Sequence, residues 1–134
     1  MSLHATIAAR VYVALTSVVV AFQLALACGA PWGAFTMGGA FPDTLPMQMR
    51  LAALGSAILL TAFGAIVAAH ARLWLPAWRR HARWLIWIVL AYAVIGVVLN
   101  SITPSAGERA LWLPVAIVLA TCAFVVARAD ESLP

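Results

Sequence analysis

The sequence predicts an all-α membrane protein: a four-transmembrane-helix bundle whose two termini both lie in the cytoplasm. Three observations carry that prediction. Of the 134 residues 66% are apolar and only 9% charged, against roughly half and a quarter in soluble domains. Long uncharged runs alternate with short polar breaks, so the bilayer is where those side chains are buried. The arginines gather at the ends of the runs and mostly on one side. A chain of this length is one domain, spanning residues 1–134.

The first uncharged run goes from Val11 to Cys28, within a helix expected over residues 8–28, and stops at Gly29-Ala30-Pro31, where glycine and proline end a helix. An outer loop over 29–44 follows. The second helix covers 45–71, with Pro46 tolerated in its first turn. A cytoplasmic loop over 72–83 leads to the third helix at 84–102, which breaks before Pro104 because a residue preceding proline disfavours helical angles. After a short outer loop at 103–105, Ser105-Ala106-Gly107-Glu108 fits a capping box and starts the fourth helix, 106–127. Pro114 lies inside that helix and deprives the Ala110 carbonyl of its donor.

All eight basic residues are arginine, and the net charge is +4. Nucleic-acid binding is not implied, because the arginines sit at helix ends instead of along one soluble face. With the amino terminus inside, Arg10, Arg72, Arg79, Arg80, Arg83 and Arg128 are cytoplasmic, and Arg50 and Arg109 are outside. This bias fixes the expected orientation. Trp74, Trp78, Trp84 and Trp87 mark the inner boundary, Trp32 and Trp112 the outer one. Cys28 and Cys122 are too far apart in depth for a disulfide and lack metal-ligand spacing. Ala25-Leu26-Ala27-Cys28 only faintly resembles a lipoprotein cleavage site.

Helix two carries Ala53, Ala57, Thr61, Ala65 and Ala69 at every fourth position. Such rows allow close backbone approach in lipid, either within the bundle or along a homodimer seam. Arg72, Arg79, Arg80 and Arg83 are expected against lipid headgroups. His70 and His81 are boundary residues with no carboxylate or cysteine at ligand spacing, so neither a metal nor a cofactor is expected.

The outer segments hold the candidate site: Trp32, Asp43, Arg50, Asn100, Thr103, Ser105, Glu108, Arg109 and Trp112. The loop is rich in glycine and proline, which implies a shaped segment instead of a loose connection. Charges close to hydrocarbon need partners, and Arg50 is expected to pair with Glu108 or Asp43. No ionisable group stands at mid-depth, which argues against ion-coupled transport. Nucleophile-elbow, metalloprotease and phosphate-loop motifs are missing, so no catalytic residue is assigned.

Gly29-Ala30-Pro31-Trp32-Gly33, Gly38-Gly39, Leu45-Pro46 with Arg50, Leu99-Asn100, Thr103-Pro104-Ser105, Glu108-Arg109 and Trp112-Leu113-Pro114 together resemble a recurrent family of small four-helix bacterial membrane proteins. The resemblance spans nearly the whole chain and implies a fold and a bacterial inner membrane, not an activity. The expected function is an extracytoplasmic-face site that binds a lipid, a hydrophobic small molecule or a membrane partner. A homo-oligomeric channel or carrier for a small solute is the alternative, and a membrane enzyme comes third.

Overall fold

Hydrocarbon offers a backbone no hydrogen bonds, so each crossing segment must satisfy its own N–H and C=O groups, which a helix does internally. The computed structural model describes residues 1–129, and four long helices meet this requirement: α1 (Leu3–Ala27), α2 (Met47–His70), α3 (Arg79–Ile102) and α4 (Ala106–Arg128). Their 23 to 25 residues give each a length of about 35 Å. All four are long and apolar enough to cross a membrane, and no strand occurs among the described residues. Large apolar side chains such as Ile58, Ile88, Ile95, Ile102 and Phe124 point outward, an arrangement that lipid, not water, solvates.

α1 packs against α2 and α4, while α3 packs closely on α4 and much less on α2. Short connections make consecutive helices antiparallel. One end of the bundle, the terminal face, therefore carries the first residues of α1 and α3 and the last of α2 and α4. The opposite end, the loop face, carries residues 28–46 and 103–105. The terminal half has a core drawn from all four helices: Ala9 and Tyr12 of α1, Phe63 and Val67 of α2, Ile86 and Val89 of α3, Ala123 and Val126 of α4. The smaller core of the loop half, Leu26, Leu45 and Ala53, contains nothing from α3 or α4.

Two helices begin earlier than hydropathy alone predicts. α1 starts at Leu3, not near residue 8, because Ser2 caps it by accepting the Ala5 N–H at 3.3 Å. α3 starts at Arg79, not 84, so Arg79, Arg80 and Arg83 lie on helix and the connection shrinks to residues 71–78. Charge ends the apolar run but not the helix, since arginine is a good helix former and its head leaves the hydrocarbon on a long stem. The chain reverses through left-handed residues Arg72 (φ 60°) and Leu75 (φ 53°) and a 3₁₀ turn, Pro76–Trp78. Leu73 and Trp74 donate to the Ala68 carbonyl and close the end of α2.

Candidate functional site

The loop between α1 and α2 is built on main-chain bonds. Gly29, at φ 99°, ends α1 in a left-handed conformation that glycine adopts without strain, and the Ala30 N–H returns to the Ala25 carbonyl. Two 3₁₀ turns follow, Gly33–Phe35 and Met37–Gly39. The loop doubles back so that the Gly33 N–H donates to the Asp43 carbonyl and the Ala34 N–H to the Pro42 carbonyl, at 2.9 and 3.1 Å. The strands of this fold-back are so close that a Cβ on Gly33 would lie 1.7 Å from the Phe41 carbonyl oxygen.

The start of α4 holds this loop in place. Ser105 caps α4 by accepting the Glu108 N–H at 3.1 Å, and its hydroxyl donates to the Ala34 carbonyl at 2.7 Å. Glu108 Oε2 accepts the Gly38 N–H at 2.9 Å and the Thr103 hydroxyl at 2.5 Å. One turn on, Trp112 donates its indole N–H to the Phe35 carbonyl at 2.9 Å. Its ring meets Phe22 of α1 edge-on at 4.7 Å between centroids, and Trp32 stacks on Phe22 from another side at 5.9 Å. Arg109, exposed, donates to the Thr103 carbonyl.

The expected pairing of Arg50 with an acid is corrected here. Arg50 Nε donates to the Ala27 carbonyl at 2.8 Å, and among the described residues no ion pair joins it to Asp43 or Glu108. The last carbonyls of α1 carry the negative end of that helix and lack intrahelical donors, so they satisfy a cation beside them. Glu108 in turn sits in the first turn of α4, where free N–H groups favour a negative charge. Asp43 is exposed, and its contribution to the fold-back is its main-chain carbonyl.

Beneath this collar the loop half encloses a cavity of 570 Å³. α1 contributes Tyr12, Val19 and Gln23, α4 contributes Glu108, Trp112, Val115, Ala116 and Leu119, and α2 contributes Leu60 alone. The α3 wall includes Tyr92, Ile95, Leu99 and Ile102, all of them exposed, so the cavity reaches the lipid-facing surface. Of its polar groups, Gln23, Asn100, Thr103 and Glu108 lie toward the loop face, and the hydroxyls of Tyr12 and Tyr92 belong to deeper positions. Asn100 donates its amide N–H to the Gly96 carbonyl. Of the nine outer-face residues chosen from the sequence, Asn100, Thr103, Glu108 and Trp112 line the cavity; Trp32, Arg50, Ser105 and Arg109 brace the collar, and Asp43 stands outside.

Tyr92 and Phe22 escape a reading of motifs because they lie within apolar runs. The signal that identifies Tyr92 is spacing, since Tyr92, Gly96 and Asn100 recur every fourth residue on one face of α3. Phe22 carries no such signal. Elsewhere, Arg72, Arg79, Arg80 and Arg83 are exposed near the terminal face, among exposed Trp74, Trp78, Trp84 and Trp87. In the α2 row, Ala53, Ala57 and Ala69 are buried, whereas Thr61 and Ala65 line a separate groove with Gly64 and Ala68. Both cysteines are free thiols, Cys28 exposed and Cys122 buried. Among the described residues no group of three or more His, Cys, Asp or Glu is placed to hold a metal ion.

Fold and site together define a multi-pass helical membrane protein with an apolar cavity in one half of its bundle. Comparison with protein families, with curated proteins and with solved structures finds no match to this chain, so the family resemblance rests on its quoted motifs alone.

Proposed function

We propose that the protein binds a lipid or a hydrophobic small molecule taken from the bilayer, in the loop-face cavity, on the extracytoplasmic side of a bacterial inner membrane. The observation that carries this reading is the cavity itself. Its 570 Å³ falls within the roughly 300 to 1,000 Å³ of ligand pockets, its walls are mainly apolar, and its one carboxylate and its two amides lie toward one end. Such a site suits a molecule with a hydrocarbon body and a polar head. Entry is lateral, from the lipid-facing surface.

A solute pathway through one bundle is not favoured, because Phe63, Val67, Ile86, Val89 and Val126 fill the terminal half. The side assigned to the cavity follows from arginine placement: Arg10, Arg72, Arg79, Arg80, Arg83 and Arg128 belong to the terminal-face end of the chain's helices, Arg50 and Arg109 to the other. A carboxy-terminal green fluorescent protein fusion should fluoresce and an alkaline phosphatase fusion there should be inactive; the reverse pattern would move the cavity to the cytoplasmic side.

The test of binding is native mass spectrometry of the protein released from lipid nanodiscs. One retained molecule per chain, lost in Ala116→Trp, which fills the cavity, supports the reading. Retention unchanged in that variant, or no retained molecule at all, overturns it.

A further inference from the structure

We infer that the cavity is selective for an amphipathic amine, a hydrocarbon chain carrying a protonated amino head group. The inference rests on the binding reading above and specifies its ligand. The wall contains one charged side chain, Glu108, and no Arg, Lys or His. Neither loop-face arginine is in the wall: Arg50 donates to the Ala27 carbonyl, and Arg109 is spent on the main-chain carbonyl of Thr103, a wall residue. Glu108 spends Oε2 on the Gly38 N–H and the Thr103 hydroxyl, while Oε1 accepts no hydrogen bond among the described residues.

Of the neighbouring polar groups, Asn100 and Thr103 point the same way, whereas Gln23, Tyr12 and Tyr92 can both donate and accept and so do not discriminate between head groups. Asn100 uses its amide N–H on the Gly96 carbonyl, which leaves Oδ1, an acceptor, without a partner among the described residues. The Thr103 hydroxyl is already donating to Glu108, so its free capacity is also as an acceptor. Trp112 donates its indole N–H to Phe35, leaving the cavity only its ring, and Tyr92 adds a second aromatic lining group. Aromatic rings attract cations. A site offering acceptors, a carboxylate and ring surface fits an ammonium, which has three donors and no acceptor. It opposes a phosphate or sulfate head, which would meet the Glu108 charge with no cation in the wall.

The geometry also keeps the carboxylate in place without ligand. Two fixed donors on Oε2 and a position in the first turn of α4 hold Glu108 at the collar. A cation bound at Oε1 therefore pairs with a preorganised anion at the boundary of hydrocarbon, where such a pair is stronger than in water.

The experiment titrates nanodisc-embedded protein, against empty nanodiscs, with three probes sharing one tail: decylammonium, decyl sulfate and decyl maltoside, all below micelle-forming concentration. Bound probe is counted by native mass spectrometry. Decylammonium should bind one per chain and roughly tenfold or more tighter than the other two, the factor that a hydrogen bond to a charged group supplies. Glu108→Gln should abolish the preference while leaving decyl maltoside unchanged, because a glutamine carbonyl still accepts from Gly38 and Thr103. Equal binding of all three probes, or an unchanged preference in Glu108→Gln, overturns the head-group inference and leaves the cavity reading standing provided Ala116→Trp removes all three. A preference for decyl sulfate overturns it outright. If no probe binds above empty nanodiscs, or Ala116→Trp changes nothing, both readings fall.

Discussion

The two halves of the bundle are held together by different chemistry. The terminal half has an apolar core to which every helix contributes, with Ile86, Val67, Val89 and Val126 fully buried. In the loop half the core draws on neither α3 nor α4, a cavity opens, and four side-chain hydrogen bonds between distant segments take over: Gly38 to Glu108, Ser105 to Ala34, Trp112 to Phe35 and Arg50 to Ala27. Lipid supplies little hydrophobic driving force between helices, so packing quality and hydrogen bonds decide their association. Packing closes one half; directed bonds keep the other half shaped while leaving space inside it.

Substitutions can break that contrast, and they rank by expected cost. Gly33→Ala should cost most, about 4 kcal/mol, because a Cβ there would strike the Phe41 carbonyl at 1.7 Å and the fold-back would open; unfolding titration in mixed detergent micelles measures it. Ile86→Ala should follow at about 3 kcal/mol by the same titration, since Ile86 is fully buried against all three other helices' core residues. A loss below 1 kcal/mol would mean that the terminal half is not closely packed. The sharpest comparison lies on α4 itself. Ala123→Leu, in the closed core, should cost about 2 kcal/mol through overpacking. Ala116→Leu, two turns earlier in the cavity wall, should change stability by less than about 0.5 kcal/mol. Equal costs for the pair would show that the halves do not differ in packing. Ser105→Ala should cost about 1 kcal/mol as a lost cap, with proteolysis of the 29–46 loop accelerating while the terminal half stays protected.

The fold was legible in the sequence because the bilayer imposes a simple demand, a long apolar stretch per crossing, and because Gly29, Pro46, Pro104 and Ser105 punctuate the chain at or near the helix ends. The starts of α1 and α3 were less legible, since Arg10 and the arginines of 79–83 interrupt hydropathy without interrupting helix. The site was half legible. Ser105 caps α4 as its local pattern predicts, but the Glu108 carboxylate reaches Gly38, seventy positions away in sequence. Capping patterns hold no information about such a partner. Charge pairing predicts an acid beside Arg50, but its acceptor is a carbonyl, and every residue has one. The cavity had no signature of its own, being a space lined mostly by ordinary apolar residues of the spanning helices.

The collar also bears on how such a chain can change over generations. The loop's share of the bonds to Glu108, Ser105 and Trp112 comes from main-chain atoms of Gly38, Ala34 and Phe35, which any residue provides. Side-chain identity at Ala34 is thus free to drift, while the Phe35 ring also packs over Gly107. What cannot drift is handedness, since Gly29, Gly38 and Gly39 all hold positive φ and Gly33 has no room for a Cβ. Across descendants of this sequence the loop should keep its glycine spacing while losing most other resemblance, and the terminal core should keep its volumes while exchanging its residues.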